Sequence, residues 1–119
     1  MRLHDHELVY KILRKEDWQA AQRTGAYHGS ADDRRDGFIH LSAAHQLQGT
    51  AAKHFRNQAD LVLVSFKASD LGPGLKWETS RANDLFPHLY ESLPAGSAVE
   101  CHELELGEDG VPVIPEFAK

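Results

Sequence analysis

A single cysteine, Cys101, is all the thiol that this 119-residue chain carries. No intramolecular disulfide can form and no cysteine zinc cluster is available, which fits a reducing cytoplasm. No apolar run approaches membrane-spanning length, and the opening MRLHDHELVY is too polar for a signal peptide. Positive charge is scarce as well: 13 Lys and Arg face 18 Asp and Glu, a formal charge of −5, and no basic cluster interrupts that balance. This argues against non-specific nucleic-acid binding, which needs cations to neutralise phosphate, and against anionic membranes. GxGxxG, GxxxxGK[ST], HExxH and GxSxG are all missing, so the Rossmann fingerprint, the P-loop, the zincin helix and the nucleophile elbow are excluded. There is no internal repeat. The expectation is one cytoplasmic domain over residues 1–119, with a protein partner left open.

What is present is ordinary in bulk: 41% hydrophobic and 26% charged residues, as in soluble globular proteins. Leu8–Leu13 alternates as a first strand, with Leu8, Tyr10 and Ile12 on one face and Val9, Lys11 and Leu13 on the other. Lys15–Arg23 reads as a helix with acids in its first turn, Trp18 and Ala21 on its buried side and Gly25 as its stop. Ala26–Gly29 is a short extended piece, and Ser30–Asp36 (SADDRRD) reads as a polar loop. Next comes DGFIHLSAAHQLQGTAAKHF, positions 36–55: an Asp-Gly turn, a short strand Phe38–Leu41, Ser42 as helix N-cap, and a helix whose apolar stripe is Ala44, Leu47, Ala51 and Phe55. Asp60–Ala68, continuously apolar at its centre, reads as a strand covered on both faces. Leu75–Thr79 is another strand. Arg81–Pro94 (RANDLFPHLYESLP) reads as a loop in which Pro87 holds the chain extended, so that His88 and Tyr90 share a face. Ala98–Leu106 is a late strand with a bulge expected near His102 and Glu103, and positions 107–119 form a surface strap. The predicted class is α+β: a split, mainly antiparallel sheet with two helices, both in the N-terminal half.

Eight histidines in so short a chain is the unusual count. Their spacing fits no zinc motif, so no metal site is expected. Cys101, in a strand, reads as core. The groups that chemistry can use are Lys11 on the first strand, His40 and Ser42 on the second, Glu78 on a later one, and His88 and Tyr90 beyond it, with Trp77 and Phe86 as an apolar wall. Such a donor-rich, aromatic cleft fits a polar heterocycle such as a nucleotide. For each group a structural role competes: a hydrogen-bonded His40, a snorkelling Lys11, a capping Ser42.

YKI near the start, the tryptophan of DWQAA, DGFIHLS, WE at positions 77–78 and FPHLY together resemble domain-of-unknown-function family 952, over about residues 9–99. The resemblance implies the ADP-ribosyltransferase-like fold, a split sheet with an NAD-binding cleft. His40 falls where active members of that superfamily carry a second-strand Tyr, and Tyr10 and Lys11 replace the first-strand His-Gly pair. It implies Glu78, with His88 second, as the later-strand catalytic group, His40 beside it, and Tyr10, Lys11, Ser42, Trp77 and Tyr90 as ligand-binding positions. NAD is then the implied substrate, and transfer or cleavage of ADP-ribose the implied reaction. The alternative is a non-catalytic module that binds a small ligand or a protein through the same cleft.

Overall fold

The computed structural model describes residues 8–80 and 83–116; His4, His6, Arg81 and the end of the strap lie outside them. Three α-helices and eight strands occur in the order β1 (Leu8–Arg14), α1 (Lys15–Thr24), β2 (Ala26–Tyr27), α2 (Ala31–Asp36), β3 (Ile39–His40), α3 (Leu47–His54), β4 (Leu61–Lys67), β5 (Leu75–Thr79), β6 (Leu85–Leu89), β7 (Leu93–Pro94) and β8 (Ala98–Leu104). All strand pairs are antiparallel. They form a sheet β1-β4-β8, a sheet β3-β6-β5 and a small ribbon β2-β7.

The first sheet is central because both of its faces are apolar. Along β4, Val62, Val64 and Phe66 point to one side, where they join Val9, Leu13 and Trp18 in one core cluster. Leu61 and Leu63 point to the other, with Tyr10, Ile12, Leu47, Ala51 and Ile114. The period-2 geometry of a strand sorts the residues this way, and each fully buried Leu or Phe contributes about 1.5–3 kcal/mol of transfer free energy. As the apolar stripe predicts, α3 lays Leu47 and Ala51 on the second cluster, with Ala44 and Phe55 partly buried beside them. The two larger sheets meet at an isolated bridge between Tyr10 and Ser42, where each amide donates to the other's carbonyl (2.8 and 2.9 Å).

Several expectations are corrected. The described residues form three α-helices, not two. Ser30–Asp36 is not a loop: Ser30 caps α2 through a capping box with Asp33, and Gly37, at φ 87°, closes it in the left-handed conformation. Leu85–Leu89 is not a loop either but the middle strand of its sheet, and it accepts Pro87 there because the Pro87 carbonyl is used, taking the Leu41 amide at 3.0 Å. Ser42 is not a helix N-cap. Its backbone is committed to Tyr10, and the helical turn begins after Ala43, whose amide donates to Gln46 Oε1 (2.9 Å). The register irregularity in β8 falls at Val99, between the Ser65–Glu100 and Phe66–Ala98 pairs, rather than at His102. Cys101 is exposed, because β8 runs along a sheet edge. The strap is anchored: Val111 and Ile114 are buried in the second cluster.

Candidate functional site

A cavity of about 400 Å³ opens between β1, α2, α3 and β6. Tyr10, Lys11, His40, Ser42 and His88 line it, so five of the eight residues singled out in the sequence converge. Glu78, Trp77 and Tyr90 are not among its walls. Trp77 faces the opposite side of β5 and packs on the first core cluster, so the aromatic wall comes from Phe86 and Phe55 instead. Glu78 stands behind His88: its Oε1 accepts from His88 Nδ1 (2.8 Å) and from the Tyr90 hydroxyl (2.7 Å). Phe38 stacks on the His88 ring at 4.0 Å between centroids and tilts against Tyr90.

The wall that sequence reasoning missed is α2. Its buried Asp33 accepts from Lys11 Nζ (3.0 Å), His40 Nδ1 (2.6 Å), the His40 amide (3.1 Å) and the Ser30 amide (2.9 Å). Burial by itself would raise this carboxyl, but the His40 hydrogen bond, the Lys11 charge and the backbone donors outweigh it and hold it well below the ordinary range. Lys11, 7% exposed, is pushed down by burial and partly restored by Asp33. Its ammonium also donates to the His40 carbonyl (2.9 Å). The lysine on the apolar strand therefore neither snorkels nor waits for a foreign anion; it holds the protein's own carboxylate. The Ser30-x-x-Asp33 spacing carries the capping-box signature and was the one signal that could have revealed α2.

His40 is held from both sides, Nδ1 by Asp33 and Nε2 by Asp36 Oδ2 at 3.0 Å. The Asp33 contact is a hydrogen bond and the Asp36 contact a charge contact, so the ring lies between two carboxylates. The His40 and His88 rings lie 5.7 Å apart, nearly perpendicular. Glu78 is lowered, first by the Tyr90 hydroxyl and then by His88, which keeps it an acceptor and fixes His88 with its proton on Nδ1. The Ser42 and Thr50 hydroxyls share a 3.1 Å hydrogen bond.

The charges of the lining largely cancel. Lys11 is spent on Asp33, and Arg35 binds Asp32 (3.0 Å) and Asp36 (3.1 Å). Lys53 lines the cavity and, among the described residues, makes no ion pair. His40, His54 and His88 all line the cavity, yet among the described residues no group of three or more His, Cys, Asp or Glu is disposed to hold a metal. The remaining described histidines are placed elsewhere: His28 meets Ser92, His45 meets Asp84 and His102 meets Glu100. No helix among the described residues is long and apolar enough to cross a membrane.

Solved structures with this fold exist. The crystal structure of protein CC0527 from Caulobacter crescentus is 50% identical, with a TM-score of 0.90 over 93% of this chain and 97% of that one. The solution NMR structure of CC0527 is 52% identical, with a TM-score of 0.80 over 89% and 91%. No curated protein matches. Residues 12–101 match the family described as protein of unknown function (DUF952). The α+β fold with its antiparallel sheets is shared with CC0527, and the chain belongs to the DUF952 family.

Proposed function

We propose that the cavity binds NAD or a related nucleotide, with the phosphate toward Lys53 and the acid–base work assigned to His88. The observation that carries this reading is that Lys53 lines the cavity without an ion pair among the described residues, while Lys11 is held by Asp33 and Arg35 by Asp32 and Asp36, so Lys53 is the cation that can meet an anion in a space walled by Phe55 and Phe86. The ADP-ribosyltransferase-like resemblance adds an analogy, since here too a cleft opens where a split sheet divides. Geometry moves the roles within that analogy. Glu78 acts through His88 rather than on a ribose, and Lys11 is structural, so ligand contacts rest on His40, Ser42 and Lys53.

One observation favours the alternative, a binding module without turnover. Transfer of ADP-ribose passes through an oxocarbenium-like centre that a nearby carboxylate stabilises, and Glu78 is turned away from the cavity. The two readings separate in one titration of the protein with NAD. The nucleotide reading expects a saturable rise in melting temperature that is lost in His40→Ala, and ADP-ribose chemistry expects nicotinamide release as well. No stabilisation at millimolar NAD defeats the NAD assignment.

A further inference from the structure

The cavity presents two imidazoles in unequal states. His88 Nδ1 is taken by Glu78, and its Nε2 makes no hydrogen bond among the described residues. With one carboxylate behind it, this ring offers a lone pair at Nε2. His40 has a carboxylate at each nitrogen, the buried Asp33 and the more exposed Asp36 (2% against 36% of the side chain). A proton held at its Nε2 can be passed on there once Asp36 gives way. A base and an acid 5.7 Å apart between ring centres, on neighbouring strands paired at His40–His88, can serve two ends of one displacement.

Resting on the reading that this cavity takes a nucleotide, we infer that the bond it cleaves is a phosphodiester P–O bond, as in a small nucleoside cyclic phosphate, and not the N-glycosidic bond of NAD. Three observations point this way. Every acidic side chain lining the cavity is committed to a cation, so none stands ready for a ribosyl cation. A general acid matters most when the leaving group is a sugar alkoxide, which must be protonated, and least for an anhydride, whose phosphate leaves unaided. And about 400 Å³ is at the low end of the about 300–1,000 Å³ of small-molecule sites, room for one nucleoside and its phosphate.

In the step, a water oxygen attacks phosphorus while His88 Nε2 takes its proton. The P–O ester bond breaks, and the departing oxygen takes the proton of His40 Nε2 and leaves as a hydroxyl. The product is a phosphomonoester; one proton has been gained at His88 and one lost at His40, and solvent resets both. The phosphate displaces Asp36 from His40 and lies against Lys53. Glu78 and Asp33 are positioning residues.

The test incubates the full chain with adenosine 2′,3′-cyclic phosphate and, separately, with NAD, following melting temperature, phosphomonoester and nicotinamide. Expected are stabilisation by the cyclic phosphate, its conversion to the monoester, and a rate lower by about 10²–10⁴-fold in His88→Asn and in His40→Asn. Because both rings are built into the fold, Lys53→Ala at an exposed position serves as the variant that does not threaten folding; it is expected to raise KM tenfold or more with little change in kcat. Nicotinamide release with the cyclic phosphate untouched overturns the inference and leaves the nucleotide reading standing. Stabilisation without product from either compound also overturns it. No stabilisation by either compound overturns both.

Discussion

Asp33→Ala is the most demanding test of the structure. The substitution removes the carboxylate that receives Lys11, both the amide and the ring of His40, and the Ser30 amide. What remains is an ammonium 7% exposed with one neutral carbonyl as its hydrogen-bond acceptor and the Tyr27 ring 6.0 Å away. Removing one member of a buried ion pair costs about 3–5 kcal/mol, because the survivor stays desolvated. In a chain of this length about 1 kcal/mol lowers the melting temperature by about 4 °C, so a fall of about 12–20 °C is expected, a large part of an ordinary domain's stability. Asp33→Ala with Lys11→Met should recover much of the loss, since the orphaned charge is then gone. Urea and thermal unfolding of the two single variants and the double variant measure the coupling. A loss below about 1 kcal/mol for Asp33→Ala, or a double variant no more stable than it, would refute the account of the pair. The same carboxylate sets an acid limb. Its folded value lies below the ordinary 3.8, so its stabilisation is complete above that value and is lost as the pH falls through and below it. Asp33→Asn should flatten the stability profile in that window.

Ser30→Ala removes the capping-box acceptor of α2 and should cost about 0.5–2 kcal/mol in urea unfolding, with the His40 ring displaced because the helix that carries Asp33 and Asp36 frays. Tyr90→Phe removes the largest contribution lowering Glu78; the Glu78 carboxyl should then titrate closer to its ordinary range, read by side-chain NMR, while the His88 contact keeps part of the depression. An unchanged Glu78 titration would show that the Tyr90 hydrogen bond does not form in solution.

Where apolar periodicity was strong, the sequence was readable. β1, α1, β4 and β5 come out within a residue or two of their predicted bounds: Leu8–Leu13 and LVLV are buried almost throughout, Trp18 and Ala21 form the buried side of α1, and Leu75 and Trp77 are the partly buried apolar positions of LKWET. α2 was illegible to that approach. ADDRRD has no apolar stripe; it is a helix because Ser30 and Asp33 satisfy each other's backbone at its start and Asp33 is held from outside by Lys11 and His40. A long-range polar contact of this kind leaves no period. Pro87 misdirected the reading of β6 by local preference, where the tertiary context needs only its carbonyl. The site was half legible: alternation put His88 and Tyr90 on one face, and in the structure both meet Glu78, a pairing that alternation within one segment does not show. The same alternation on β5 turns Trp77 away from it.

The Tyr10–Ser42 bridge gives the two larger sheets a common seam. Two amide hydrogen bonds of 2.8 and 2.9 Å join chain segments 32 positions apart (10 to 42), and the cavity lies beside them. Neither amide can be reached by solvent without parting one sheet from the other. In a hydrogen–deuterium exchange experiment these two protons should therefore be among the slowest and should exchange together, tracking global unfolding and not local fraying. Their exchange rate becomes a gauge of the whole molecule, and a ligand wedged in the cavity should slow it by the full measure of its binding free energy.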